Sequence, residues 1–129
     1  MNVLDQRVIN DGTLLQLKNN DIEVHARSVF LQGLLLMPPE KTPNFFRPWY
    51  KKLSEWRKIC IENDISCIEA ALNFVINQDN VNYCIIGVED LIQLQQCISA
   101  LKTKKIISLN ELACNDDDLL NPSKWEIKN

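Results

Sequence analysis

The fold is decided by DIEVHARSVFLQGLL at residues 21–35 and by NYCIIGVEDLIQL at residues 82–94. The first stretch begins with apolar and polar residues in alternation, the pattern of a half-buried strand. The second contains an uninterrupted apolar run, as expected of a strand covered on both faces. We predict strands at residues 22–28 and 83–88. Each strand runs into a polar turn, where a parallel α/β protein would hold a ligand.

Helix signals occupy the segments between and after these strands. Ser66 and Glu69 form a capping box, S-x-x-E, and Asp90 with Gln93 repeats it in a weaker form. Asp11 is a candidate N-cap for a short earlier helix. The predicted helices lie near residues 13–19, 48–62, 66–77, 90–101 and 109–118. Two strands linked through helices imply a parallel pair with a right-handed crossover.

Apolar spacing assigns a face of each longer helix to the core. In the helix near residues 48–62 this face carries Leu53, Trp56 and Cys60. The helix near residues 90–101 carries a stripe of four apolar residues, Leu91, Leu94, Ile98 and Leu101. Ser108 and Glu111 predict a cap for the last helix. The aromatic cluster at residues 45–50 requires an adjacent helix or another neighbour to pack against.

Composition favours one domain, residues 1–129, that can bury a real core, since 46% of its residues are hydrophobic. A net charge of -3 without a basic stripe argues against nucleic-acid binding. No apolar run approaches the ~20 residues that span a bilayer, and the first residues do not resemble a signal peptide. Five cysteines without a CxxC spacing, beside a single histidine, indicate free thiols in a reducing cytoplasm rather than a zinc site.

Gly87 follows the second strand, and a helix is predicted to begin at Asp90. A glycine before a helix N-terminus lets backbone N–H groups approach an anion. The same glycine could instead serve only a tight turn. The residues alone leave both readings open.

The stretch from Ala26 to Leu35 resembles the end of the seventh strand of the aldo-keto reductases, A-Y-S-P-L-x-x-G-L-L. Members of that family are (β/α)₈ barrels that bind NAD(P)H at the C-terminal ends of their strands. The resemblance implies that five residues would line the cofactor pyrophosphate: Ser28, Phe30, Leu31, Gln32 and Gly33. Arg27 stands where the family usually has an aromatic residue that stacks on the nicotinamide.

The stretch from Ile85 to Cys97 is similar to the end of the family's eighth strand. By that match, five residues would surround the adenosine end of the cofactor: Gly87, Val88, Gln93, Gln96 and Cys97. Gln93 replaces an arginine that often binds the 2′-phosphate, and Gly87 replaces a common lysine. Both differences remove charge that would favour NADP over NAD.

Asn2–Arg7 and Asn121–Trp125 extend the resemblance over nearly the whole chain. It implies the C-terminal portion of a TIM barrel, with two parallel strands and about five helices. The family's catalytic Asp, Tyr, Lys and His belong to early strands, which we expect before Met1. His25, the single histidine, does not match the catalytic one. No catalytic residue is therefore assigned in this chain.

The implied function is the cofactor-binding portion of an NAD(P)H-dependent reductase of aldehydes or ketones, inactive when alone. One alternative is a non-catalytic interaction or oligomerising protein, since a partial barrel exposes strand edges that invite pairing. Another is a bare nucleotide-binding fragment. The expected partners are a dinucleotide if the site is completed, a second copy of the chain, or an N-terminal half-barrel.

Overall fold

The computed structural model describes residues 1–103 and 105–126. Two strands, β1 (His25–Ala26) and β2 (Tyr83–Cys84), pair in parallel, with His25 opposite Tyr83 and Ala26 opposite Cys84. The α-helices of this described part are α1 (Arg7–Asn10), α2 (Thr13–Asn19), α3 (Tyr50–Glu62), α4 (Cys67–Ile76), α5 (Leu91–Ala100) and α6 (Asp117–Leu120). The parallel pairing confirms the prediction from the strand and helix order.

Both strands are much shorter than the predicted ranges 22–28 and 83–88. In the described part of the chain each strand pairs only with the other, and a sheet of two strands is marginal. Only a few backbone hydrogen bonds extend the pairing beyond the two strands. One of them is the bond from Ile85 N to Ala26 O, at 2.7 Å. The prediction that residues 83–88 are covered on both faces is wrong, because Tyr83 is 56% exposed and Ile85 53%.

The local capping signals predict helix starts correctly at α4 and α5. Ser66 Oγ accepts from Glu69 N at 3.2 Å, and the Glu69 carboxylate accepts from Ser66 N at 2.9 Å, which completes the capping box. The Asp90 carboxylate accepts from Gln93 N at 2.7 Å. At α2 the prediction is off by one residue, because Gly12 is the N-cap and Asp11 accepts the Thr13 N–H from one position earlier.

The helix predicted near residues 109–118 does not form as one element. A 3₁₀ turn at Asn110–Leu112 is followed by a separate α6, and the Ser108 side chain makes no cap. The cause is a tertiary bond: Cys114 N donates to Leu4 O at 2.8 Å, so it is withdrawn from a helical ladder. Asp116 caps α6 instead, accepting from Asp118 N.

The core lies between α3, α4 and the loop that follows β1. α3 buries Leu53, Trp56 and Cys60, as predicted from their spacing. Trp56 is fully buried, and its Nε1 donates to Leu35 O at 2.9 Å, which ties α3 to the loop after β1. The aromatic cluster finds its neighbour in the C-terminal tail, where Trp125 packs edge-on against Phe46 at 4.7 Å between ring centroids.

The apolar stripe predicted on α5 is exposed rather than buried. Leu91 is 67% exposed and Ile98 48%, while the buried residues of this helix are the small Cys97 and Ala100. α5 therefore packs on α4 through small side chains and leaves its large ones outside. In the described part of the chain, no helix has the length and apolar character needed to cross a membrane.

Candidate functional site

Parallel pairing brings the carboxyl ends of β1 and β2 to the same edge of the sheet. Ser28 follows β1, and Gly87 follows β2, so the two turns singled out in the sequence leave the sheet side by side. α5 begins directly after the second turn. We call these two turns, residues 28–33 and 87–90, the strand-end site.

The first turn holds an unusual backbone. Ser28, Leu31 and Gln32 have φ values of 63°, 47° and 53°, and Gly33 has 82°. Only glycine adopts this left-handed region without strain, so each of the three others costs about 1–3 kcal/mol. Such a conformation persists only when its surroundings fix it. Here, the buried side chains of Val29 and Leu31 hold the turn in the core.

Asn2 fixes the turn from the other side. Its Nδ2 donates to Ser28 O at 3.1 Å, while its Oδ1 accepts from the backbone N–H groups of Leu4 and Asp5. Asn2 is only 1% exposed, so these bonds are shielded from water. The amino group of Met1 donates to Arg27 O at 3.2 Å beside it. Burial lowers the pKa of that amino group.

The strained turn presents backbone donors. Among the described residues, the N–H groups of Gln32 and Gly33 have no acceptor, although their neighbours Leu31 and Leu34 donate within the loop. Successive N–H groups in left-handed turns form concave sites for anions. A pyrophosphate fits this chemistry, and the exposed Arg27 adds a cation at the same end of β1.

The residues assigned to the pyrophosphate differ in access. Ser28 and Gln32 are exposed, while Phe30 and Gly33 are half-buried. Leu31 is 2% exposed, so its side chain belongs to the core and only its backbone faces the turn. Their assignment to a cofactor stays a prediction.

In the second turn, Gly87 and Val88 are exposed. Gly87 does not adopt a left-handed φ, and a Cβ there would meet nothing within 4 Å, so the turn itself does not require glycine. Because Gly87 has no side chain, the backbone at the end of the strand is accessible. Two carboxylates, Glu89 and Asp90, follow it, which makes this turn less favourable for an anion than the first.

The remaining assigned residues lie on α5. Gln93 is half-buried, and its Oε1 accepts from Glu89 N at 2.9 Å, so its amide already caps the helix. Gln96 is exposed on the next turn. Cys97 is 3% exposed and packs in the core, where burial raises the pKa of its thiol. Gln93 therefore lies beside the second turn, whereas the Cys97 side chain lies in the core, and the assignment of these residues to a cofactor stays a prediction.

Two grooves lie away from this edge. One, of about 330 Å³, includes Lys18, Asp21 and Asn82 and lies at the beginning of the strands. The other, of about 340 Å³, lies between α4 and residues 105–110. His25 is exposed, contacts the Glu23 carboxylate and lies against the Tyr83 ring, as a surface residue of the strand.

The model of the aldo/keto reductase family matches residues 1–111. This chain belongs to the aldo/keto reductase family. The match confirms the resemblance carried by the two strand-end motifs, both of which lie inside it. Residues 112–129 lie outside it, so the match does not extend to Asn121–Trp125. A search of curated proteins found no match.

Asn2 is the residue of this aldo/keto reductase chain that sequence reasoning missed. In the sequence it is only the first residue of the stretch Asn2–Arg7, and no motif gives it a role. An asparagine near two strand-end motifs carries no local signal of its partner, since its bond to Ser28 O spans 26 positions. The position of the turn was predictable from its motif, but the bond from Asn2 that fixes it was not.

Proposed function

We propose that this chain is the C-terminal, cofactor-binding portion of a (β/α)₈ reductase that uses NAD(P)H. One observation carries the proposal. The turn after β1 presents the unpaired N–H groups of Gln32 and Gly33 at the edge where the turn after β2 also ends. Family membership supports the reaction class, reduction of an aldehyde or ketone. We place the protein in the cytoplasm, in keeping with its five free cysteines.

In this proposal each turn has its own task. The backbone N–H groups of Gln32 and Gly33, with the Ser28 hydroxyl, donate hydrogen bonds to the pyrophosphate oxygens. Val88, Gln93 and other groups at the start of α5 contact the adenosine end. The cofactor, when bound, supplies a hydride to a carbonyl carbon. This chain positions the dinucleotide and excludes water from one side of it.

A carbonyl reduction also needs a proton donor beside the substrate. We assign no residue of this chain to that role, because its tyrosines, Tyr50 and Tyr83, do not match the catalytic position of the family. Tyr50 Oη donates to Thr42 O at 2.9 Å, so its proton is already engaged. Catalysis in this proposal requires groups from outside residues 1–129.

The isolated chain is therefore expected to show no NADPH oxidation with a small aldehyde. The measurement is the loss of NADPH absorbance, with an active reductase as the positive control. A clear rate that disappears in Tyr50→Phe or Tyr83→Phe would contradict the proposal, because it would place the proton donor within this chain.

Gln93→Arg is expected to strengthen NADPH binding and to leave NADH binding nearly unchanged. A guanidinium can form charge-assisted bonds to a 2′-phosphate worth roughly 1.5–3 kcal/mol, about one to two decades of affinity. The change also removes the Gln93 amide that accepts from Glu89 N, at a smaller cost to the helix start. Calorimetric titration of both cofactors into both proteins measures the effect.

Gln95→Arg provides the matched control, since Gln95 is exposed on the same helix and has no assigned contact. It adds the same charge, so a general electrostatic gain would appear there too. Equal gains in the two variants would remove Gln93 from the site. No heat in any titration would remove the cofactor assignment.

The exposed apolar side chains of β2 and α5 favour a second candidate, a non-catalytic interaction protein. Soluble proteins rarely leave many large apolar side chains in water without a partner surface. The side chains concerned are Tyr83, Ile85, Val88, Leu91, Ile92, Leu94, Ile98 and Leu101. Either a second copy or an N-terminal half-barrel would cover them. The cofactor titrations separate the two candidates, because an interaction protein binds neither dinucleotide.

A further inference from the structure

The groove between α4 and residues 105–110 has a volume of about 340 Å³. One face of α4 lines it with Ala70, Asn73, Phe74 and Asn77. Their spacing of i, i+3, i+4 and i+7 places these side chains on the same side of the helix. The volume lies at the lower end of the range for small-molecule sites. The groove therefore has room for a small ligand.

Asn73 carries a buried polar group that the fold leaves unpaired. The residue is 3% exposed, and its Nδ2 is the one buried side-chain polar atom without a hydrogen-bond partner in the described part of the chain. Such a donor is costly, and nearly all buried polar groups in folded proteins are paired. Because Asn73 lines the groove, a rotation about χ2 turns its amide toward a molecule bound there. The groove therefore lacks a hydrogen-bond acceptor.

The charges around the groove favour an acceptor that is negatively charged. Lys105 is the charged side chain among the described lining residues. Its ammonium donates to Asn63 O, and two of its three N–H groups are left for a ligand. The carboxylate of α4, Glu69, does not line the groove and is held by Ser66 N and Thr103 Oγ1. An ammonium beside an unpaired amide donor suits the two oxygens of a carboxylate.

Apolar side chains supply another part of the lining. Phe74 and Ile107 are half-buried and pack against the core, and Ile106 is exposed at the edge of the groove. A small-molecule site usually combines an apolar wall with a few polar groups that fix the orientation of the ligand. This wall suits a hydrocarbon chain rather than a second charged group.

We propose that this groove binds a small monocarboxylic acid with a short apolar chain. The carboxylate accepts from Asn73 Nδ2 and from the Lys105 ammonium, and the hydrocarbon chain lies against Phe74 and Ile107. None of the lining residues belongs to the strand-end site. The two sites are therefore separate, and this proposal does not depend on the binding of a dinucleotide.

The test titrates hexanoate into the full chain labelled with ¹⁵N, and hexanol into a second sample. The side-chain amide signal that is missing from the spectrum of Asn73→Leu identifies Asn73. Hexanoate should cause saturable shifts of this signal and of the backbone amide signals of Ile106 and Ile107. Hexanol has the same chain without the carboxylate and should bind at least about tenfold more weakly, since a hydrogen bond to a charged group contributes roughly one to two decades of affinity.

Two variants and a matched control assign this affinity to the groove. Asn73→Leu keeps a side chain of similar size but removes the donor, and Lys105→Gln removes the ammonium. Each should weaken hexanoate binding about tenfold or more, measured at the Ile107 amide. Lys102→Gln removes the same charge from an exposed residue outside the groove and should bind hexanoate as the wild type does.

Circular dichroism verifies that each variant is folded. If Asn73→Leu does not fold, the comparison of Lys105→Gln with Lys102→Gln decides. Equal affinities for hexanol and hexanoate would overturn the proposal, because the groove would then recognise only the apolar chain. Unchanged hexanoate affinity in Asn73→Leu or Lys105→Gln would overturn it as well, and so would the absence of saturable shifts in the wild type.

Discussion

Trp56→Ala is expected to lower the free energy of unfolding by about 3–5 kcal/mol, a large part of the stability of a domain this size. Trp56 is fully buried among α3, α4 and the loop after β1. Its removal leaves a cavity and also leaves Leu35 O without its donor at 2.9 Å. That carbonyl lies in the segment that supports the turn of residues 28–33. The loss therefore falls on the core and on the strand-end site together.

Urea denaturation followed by circular dichroism measures this loss. Trp49→Ala is the matched control, since Trp49 is partly buried and its Nε1 donates to the Asp116 carboxylate at an exposed position. Its cost should be clearly smaller. Trp56→Phe should lie between the two, because the ring is largely replaced but the bond to Leu35 O is lost. A cost at Trp49 equal to that at Trp56 would contradict this description of the core.

Local signals predicted the helices well because their causes lie within a few residues. The Ser66 and Glu69 box and the Asp90 cap act across a single turn, and the face of α3 follows from its own spacing. The prediction of one helix near residues 109–118 was wrong because its cause is not local. Cys114 N bonds to Leu4 O, a partner more than a hundred positions away, which no local pattern records.

Burial was harder to predict than secondary structure. The apolar run of residues 83–88 and the stripe of α5 predicted buried faces, but both are exposed in the described residues, because an apolar pattern does not say what covers it. In the described residues, α4 covers only the small side chains Cys97 and Ala100 of α5. The large ones, such as Leu91, remain exposed. The apolar pattern predicts that these side chains need a covering surface, and the described residues do not provide one.

The strand-end site was predictable in position but not in detail. Strand order alone placed Ser28 and Gly87 at one edge. The left-handed backbone of Leu31 and Gln32 could not be foreseen, because neither residue favours that conformation. It follows from the surrounding core and from Asn2, whose partners lie far along the chain. Sequence motifs located the turn, and tertiary contacts gave it its donors.

Gln6→Ala is expected to lower the free energy of unfolding by about 2–3 kcal/mol, because it leaves two buried carbonyls without a donor. Gln6 is 2% exposed, and its Nε2 donates to Val3 O at 2.7 Å and to Leu109 O at 2.8 Å. The second bond joins positions 103 apart, so it attaches the C-terminal segment to the beginning of the chain.

Gln16→Ala serves as the control for this change, since Gln16 is exposed on α2, and its cost should be within about 0.5 kcal/mol of zero. Urea denaturation compares the two variants. Hydrogen exchange at Cys114 N, which donates to Leu4 O close by, should accelerate in Gln6→Ala and stay slow in Gln16→Ala. Unchanged exchange at Cys114 together with a small loss of stability would show that Gln6 does not hold the two ends of the chain together.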